Sequence, residues 1–237
     1  MSSTSSPSPT EFVQEAFETK VSDDEVTELI DVLDETISNL RKQIKDETLG
    51  KMLRAGAGSY LLRGNMTRDG LQPESFTQDA VINPLLDALG HEYSTEAGGL
   101  SGGRTMVADY TVSLRDYADI DSTRLLIEAE PINKDLDSRE HGVGQVRDWL
   151  SQREFESDFG FATDGLRWYF VRYDPDTYTH NIIEEVDLQP VFVALFENQT
   201  GKQEPPTEAL FDADRERVVR LIRTFEFENF TSIAGDA

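Results

Sequence analysis

Leu125-Leu126-Ile127-Glu128-Ala129-Glu130 decides the fold of this chain, because it is a short apolar run with carboxylates at alternate positions. Its length is that of a strand, and successive side chains on a strand point to opposite faces. Leu125, Ile127 and Ala129 therefore line one face, while Glu128 and Glu130 share the other. Upstream, residues 105–114 alternate in the same way. Met106, Ala108, Tyr110, Val112 and Leu114 are apolar and the odd positions are mostly polar, which puts Asp109 on a polar face. If the two strands pair, three carboxylates converge.

Carboxylates a few ångströms apart raise one another's pKa or require a cation between them. Hard oxygen donors favour Mg²⁺, Mn²⁺ or Ca²⁺. The plain alternative is a solvated polar face on an acidic protein.

The flanking sequence separates these readings. After Asp109, the run Ile127-Glu128-Ala129-Glu130-Pro131-Ile132-Asn133-Lys134-Asp135-Leu136 resembles the core of the PD-(D/E)xK nucleases, in the form found at the N-terminus of type I restriction-enzyme R subunits. Upstream, Glu74 opens a stretch ending Ile82-Asn83-Pro84-Leu85-Leu86-Asp87-Ala88-Leu89-Gly90, similar to that family's first helix. Downstream, Gly144-Gln145-Val146-Arg147-Asp148-Trp149 resembles its Gln-x-x-x-Tyr helix, with Trp149 for Tyr. Phe161-Ala162-Thr163-Asp164-Gly165-Leu166-Arg167-Trp168 resembles its Thr-(Asn/Asp)-Gly-x-x-Trp hairpin. The four matches fall in the family's order, which makes them more specific together than any one alone.

The resemblance implies an α/β restriction-endonuclease-like core, a mixed central sheet flanked by helices, with helical additions at both ends. It implies a metal-dependent DNA endonuclease of restriction or genome defence, with catalytic residues Asp109, Glu128, Glu130 and Gln145. Mg²⁺ or Mn²⁺ would be held by Asp109 and Glu128, with Glu74 completing the shell. The chemistry would be phosphodiester hydrolysis, in which the metal polarises the phosphoryl oxygen and acidifies a water. Gln145 would touch substrate or position a group, against the plain reading of a polar residue on an exposed helix face. One position departs from the family: Glu130 stands where the lysine belongs. A glutamate can ligate metal or take a proton but supplies no positive charge. Lys134, four residues on, either reaches back into the site or is the loop lysine before Asp-Leu. The alternative function is a catalytically degenerate nuclease fold that binds nucleic acid or a partner protein.

Charge pulls against a DNA partner, since the formal net charge is -24 and the pI about 4.3, whereas phosphate binders are usually basic. Arginine supplies most of the 22 cations. Such a composition suits a halophilic cytoplasm, where a Debye length of about 3 Å at 1 M salt screens an acidic surface. The other reading is acidity used to bind a basic partner. Arg104, Lys134, Arg139 and Arg147, with Arg153 beyond them, are the cations nearest the carboxylates in sequence and the candidate DNA contacts.

The rest of the chain organises around this core. Residues 1–9 read as a disordered Ser/Pro-rich tail, 10–69 as an N-terminal helical extension, 70–186 as the nuclease-like core and 187–237 as a C-terminal helical segment. Ser22-Asp23-Asp24-Glu25 is a capping box. Val26, Ile30, Leu33, Ile37, Leu40 and Ile44 then follow spacings of four and three, a seam for docking on the chain's own core or for a homodimer through this helix. Residues 50–70 are a Gly-broken connector, and Pro84 should kink or divide its helix. Gly98-Gly99-Leu100-Ser101-Gly102-Gly103 reads as a flexible hairpin loop. Asp164-Gly165 predicts a two-residue hairpin turn. Residues 191–196 and 206–230 look helical, with Phe225, Phe227 and Phe230 packing in the core; base stacking beside Arg220 and Arg223 is the other use of such a stripe. His91, His141 and His180 share no ligand spacing and read as structural. Absence of cysteine excludes disulfides and thiolate sites. No run is long enough to span a membrane, and a cytoplasmic protein is expected. Partners would be DNA and restriction-modification subunits, because 237 residues leave no room for the helicase motor of the R subunits.

Overall fold

A computed structural model describes residues 20–98, 107–152 and 155–235. Arg104, Arg153, the tail 1–9 and most of the glycine-rich loop lie outside the described residues.

The first helix, α1 (Asp23–Gln43), starts where its sequence dictates. Ser22 Oγ accepts the Glu25 N–H at 3.2 Å and the Glu25 carboxylate accepts the Ser22 N–H at 2.5 Å, a reciprocal capping box. Val26, Ile30, Leu33, Ile37 and Leu40 are all buried and belong to the same apolar cluster as the sheet and the C-terminal helices. The seam is therefore used to dock α1 on the chain's own core. A short helix, α2 (Asp46–Leu53), follows, and the connector after it carries only a 3-10 turn, Gly64–Met66.

Pro84 divides the next helix. Between α3 (Pro73–Thr77) and α4 (Asn83–Ala88) lies a π-helical turn, Gln78–Ile82, where the Asn83 N–H reaches five residues back to Gln78 O. Proline has no N–H to continue an α-helical ladder, so the wide turn is placed immediately before it and Pro84 enters α4 in the first turn.

The sheet runs β1 (Tyr93–Gly98), β2 (Val107–Ser113), β3 (Arg124–Ala129), β4 (Phe159–Thr163), β5 (Arg167–Asp174), β6 (Thr179–Asp187), in that order across the sheet. All neighbours are antiparallel except β3 and β4, which are parallel and joined by a crossover carrying α5 (Val143–Ser151). This is a mixed six-stranded sheet of restriction-endonuclease type. One face, with Tyr110, Ile127, Phe161 and Phe170, is covered by α1, α4 and the C-terminal helices α6 (Gln189–Thr200), α7 (Asp212–Phe225) and α8 (Phe227–Gly235). The other, with Leu126, Ala162 and Val171, is covered by α5 through Val143, Val146 and Trp149.

Two expectations change in detail. The β4–β5 turn has three residues, 164–166, because the Asp164 carboxylate organises it: Oδ1 accepts the N–H groups of Leu166 and Arg167 at 3.0 and 2.7 Å. Gly165 takes φ +82° there, which its lack of a Cβ permits. The apolar segment 206–230 is broken into a 3-10 turn and two helices, with Glu226 extended between them. Phe225 and Phe230 are fully buried against Phe161 and Phe170, so the aromatic stripe is core. Arg220 and Arg223 pair with Glu184 and Glu216.

Candidate active site

Strand pairing brings the carboxylates together. Tyr110 pairs with Ile127 and Thr111 with Leu126, so the antiparallel register carried one step further sets Asp109 opposite Glu128. At that point a side chain takes over from the backbone ladder: Asp109 Oδ2 accepts the Ala129 N–H at 2.8 Å. Asp109 and Glu128 also hydrogen bond to each other, and burial together with the Asp109 charge pushes the Glu128 carboxyl up to about 10. Neutral Glu128 is the donor in that bond.

Glu74 and Glu130 complete the cluster. Burial and the charge of Asp109 raise Glu74, opposed by the Lys134 ammonium. Glu130 is buried and raised by desolvation, but His141, Lys134 and the Gly142 N–H all pull it down. Its Oε1 accepts from Gly142 N at 3.2 Å and lies 3.3 Å from His141 Nδ1, and its Oε2 is 4.0 Å from Lys134 Nζ. Where the family pattern has lysine on the strand, this chain has a glutamate with a lysine beside it.

The loop after β3 is fixed by main-chain bonds. Glu130 N–H donates to Thr163 O at 2.8 Å, and Ile132 N–H donates to Thr77 Oγ1 at 3.0 Å, less than one turn after Glu74 on α3. Asn133 is fully buried with φ +67°, and its Oδ1 accepts from Arg167 Nη2 at 3.3 Å. Arg167 in turn pairs with Asp164 at 3.1 Å, a carboxyl that burial raises to about 6 against that guanidinium. This buried network ties the β3 exit loop to the β4–β5 turn and so holds Glu130 and Lys134 in place.

Other expected residues sit differently. Gln145 lies half-buried on α5, with its Oε1 buried and without a hydrogen-bond partner among the described residues. Arg139 is exposed. Arg147 lies by His180, whose pKa burial and the Arg147 charge lower, at the β6 edge. Arg104 lies outside the described residues. His141, read from sequence as structural, lies with its Nδ1 3.3 Å from Glu130 Oε1, beside the Gly142 N–H that donates to the same oxygen.

Among the described residues no three His, Asp or Glu side chains form a ready-made metal cage. What the donor set does offer is a pair of hard-oxygen ligands in contact, Asp109 and Glu128, whose mutual repulsion is relieved here by a proton. That chemistry fits a divalent cation, which would replace the proton.

No helix is long and apolar enough to cross a membrane among the described residues. No family model and no solved structure matches the chain. It is 35% identical over 134 residues, 56% of its length, to a protein of Methanocaldococcus jannaschii whose name assigns it, provisionally, as a type II restriction enzyme and methyltransferase. The chain spans 11% of that protein's length. Sequence similarity to a restriction enzyme thus coincides with a fold of restriction-endonuclease type and a carboxylate pair on its central strands.

Proposed function

We propose that this chain is a metal-dependent DNA endonuclease of the PD-(D/E)xK type, acting in restriction or genome defence beside a methyltransferase partner. The observation that carries the reading is the contact between Asp109 and Glu128 on adjacent central strands, with Glu74 close enough to raise the Glu128 carboxyl and Lys134 acting on Glu74 and Glu130 beside them. Asp109 and Glu128 would hold Mg²⁺ or Mn²⁺, with Glu74 alongside. A bound ion of this kind supplies charge stabilisation at the phosphoryl group and an acidified water.

The chain's own groups do the rest. The Ala129 N–H fixes the Asp109 carboxylate. The Lys134 ammonium provides the positive charge missing from the strand, at a place set by Glu130, where it offsets charge developing on the phosphate. Glu130, engaged by Gly142 and His141, acts as a positioning residue for Lys134. Gln145, with its Oε1 buried, would position an active-site group.

The same engagement of Glu130 favours a second reading, a degenerate nuclease fold that binds DNA without cutting it. Plasmid nicking with Mg²⁺ or Mn²⁺ decides between them, run up to about 1 M KCl because the charge of -24 is screened there. Cleavage abolished by Glu128→Ala supports the enzyme. Absence of cleavage with either ion at every salt concentration rejects it.

A further inference from the structure

On a chain of net charge -24, one shallow concavity of about 600 Å³ gathers Arg41, Lys42, Lys45 and Arg68 with a single acid, Asp46. Arg41 is committed to Asp46 by two bonds of 3.0 Å, and its other nitrogen reaches Gln199, so this pair forms a neutral, fixed wall. The remaining three cations are exposed and form no ion pair among the described residues, with Lys45 near enough to Glu47 to help lower that carboxyl. Lys42 bonds the neutral Asn39 side chain at 2.8 Å, and the side chains of Lys45 and Arg68 hold no hydrogen bond or ion pair among the described residues.

A helix C-terminus accounts for some of this. Arg41 and Lys42 lie in the last turn of α1, where cations complement the carbonyl ends. Lys45 and Arg68 lie beyond it. Backbone bonding brings them in: Arg68 N–H donates to Gln43 O at 3.0 Å and Ile44 bridges Thr67. Like charges so gathered repel one another unless an anion shares the space.

The chain also limits how far the concavity can lie from the carboxylates. From Lys45, α2 rises about 12 Å to its far end, where Met52 O faces Asn133 Nδ2 at 3.5 Å, next to Lys134. By the other route six residues separate Arg68 from Glu74, at most about 20 Å. With about 3.4 Å of rise per phosphate along one strand of a duplex, a span of at most about 20 Å puts the two places within about six base pairs of each other.

We propose that this concavity is a second contact for DNA, seating the phosphodiester backbone through Lys42, Lys45 and Arg68 a few base pairs from the cleavage site. The choice of DNA rests on the nuclease reading above.

The test is anisotropy titration of a fluorescent DNA duplex of about 20 base pairs, in EDTA, across a KCl series. Wild type is compared with Lys42→Gln/Lys45→Gln/Arg68→Gln, three exposed side chains; thermal melting checks that the variant folds. Three lost phosphate contacts should reduce the slope of log affinity against log salt by about 2.7 and weaken binding on the order of tenfold or more at low salt. An unchanged slope or no binding by wild type overturns the proposal. Nicking by the same two proteins keeps the readings apart. Cleavage with an unaltered slope rejects the concavity alone, and the expected slope change without cleavage by either protein rejects the nuclease alone.

Discussion

Asp109 and Glu128 stand across the β2–β3 register from each other, and Asp109 at the same time takes the Ala129 N–H that the strand ladder leaves open. One carboxylate is thus held by the backbone while the other is forced to keep its proton. This separates two effects of mutation. Glu128→Gln keeps shape and hydrogen bonding but removes a ligand, so the melting temperature should stay level or rise while nicking falls by more than the about 10–100-fold typical of losing an outer-shell partner. Calorimetry with Mn²⁺ should show binding lost as well. A variant that melts lower yet still nicks would place catalysis elsewhere.

Lys134 and Glu130 should behave as a unit. Glu130→Lys alone sets a second cation beside Lys134 and deprives Gly142 N of its acceptor; Lys134→Glu alone sets two acids together. Both single variants should lose activity. The exchange Glu130→Lys/Lys134→Glu should recover part of it, a coupling that a double-mutant cycle on kcat measures. Additive losses would mean that the lysine does not serve the reaction.

The β3 loop gives a stability test of how the site is built. Thr77 is fully buried, accepts the Ile132 N–H and donates to Pro73 O at 2.9 Å. Thr77→Val preserves volume and leaves the buried Ile132 N–H unsatisfied, which should cost about 1–3 kcal/mol in urea unfolding. Because Thr77 follows Glu74 by less than one helical turn, nicking should fall together with stability. Unchanged stability would show that the loop is held by the Asn133 network alone.

Much of this arrangement is legible in the sequence because it follows from periodicity. Alternation along β2 and β3 identifies Asp109, Glu128 and the buried faces, and the capping box identifies the start of α1. What is not legible depends on contacts between distant segments. That Lys134 points back to Glu130, that His141 joins them and that Arg147 turns to His180 are set by the turn at Gly142 and by the packing of α5, neither of which has a local signature. The break at Glu226 was hidden for a related reason. An apolar stripe continues through 225, 227 and 230 whether or not the helix does, and burial of Phe225 and Phe230 on the sheet decides.

His91 provides a pH test outside the site. It is buried, its Nε2–H donates to Phe225 O at 2.7 Å, and its ring lies edge-on to Phe161 and Phe227, so burial lowers its pKa from 6.5 to about 4. The folded state therefore resists a proton that the unfolded chain accepts below pH 6.5. Stability from this group is complete above that pH and is lost progressively as pH falls from 6.5 towards 4, by about 2 kcal/mol at pH 5. His91→Phe keeps the ring contacts but leaves Phe225 O without its donor, so it should be less stable than wild type at pH 7.5 by about 1–3 kcal/mol. Since the variant lacks the titrating group, the gap should narrow or reverse at pH 5, while acid effects from the many carboxylates cancel in the difference. Urea unfolding of both proteins at the two pH values measures it, and a gap that stays constant would mean that His91 takes up its proton alike in the folded and unfolded protein.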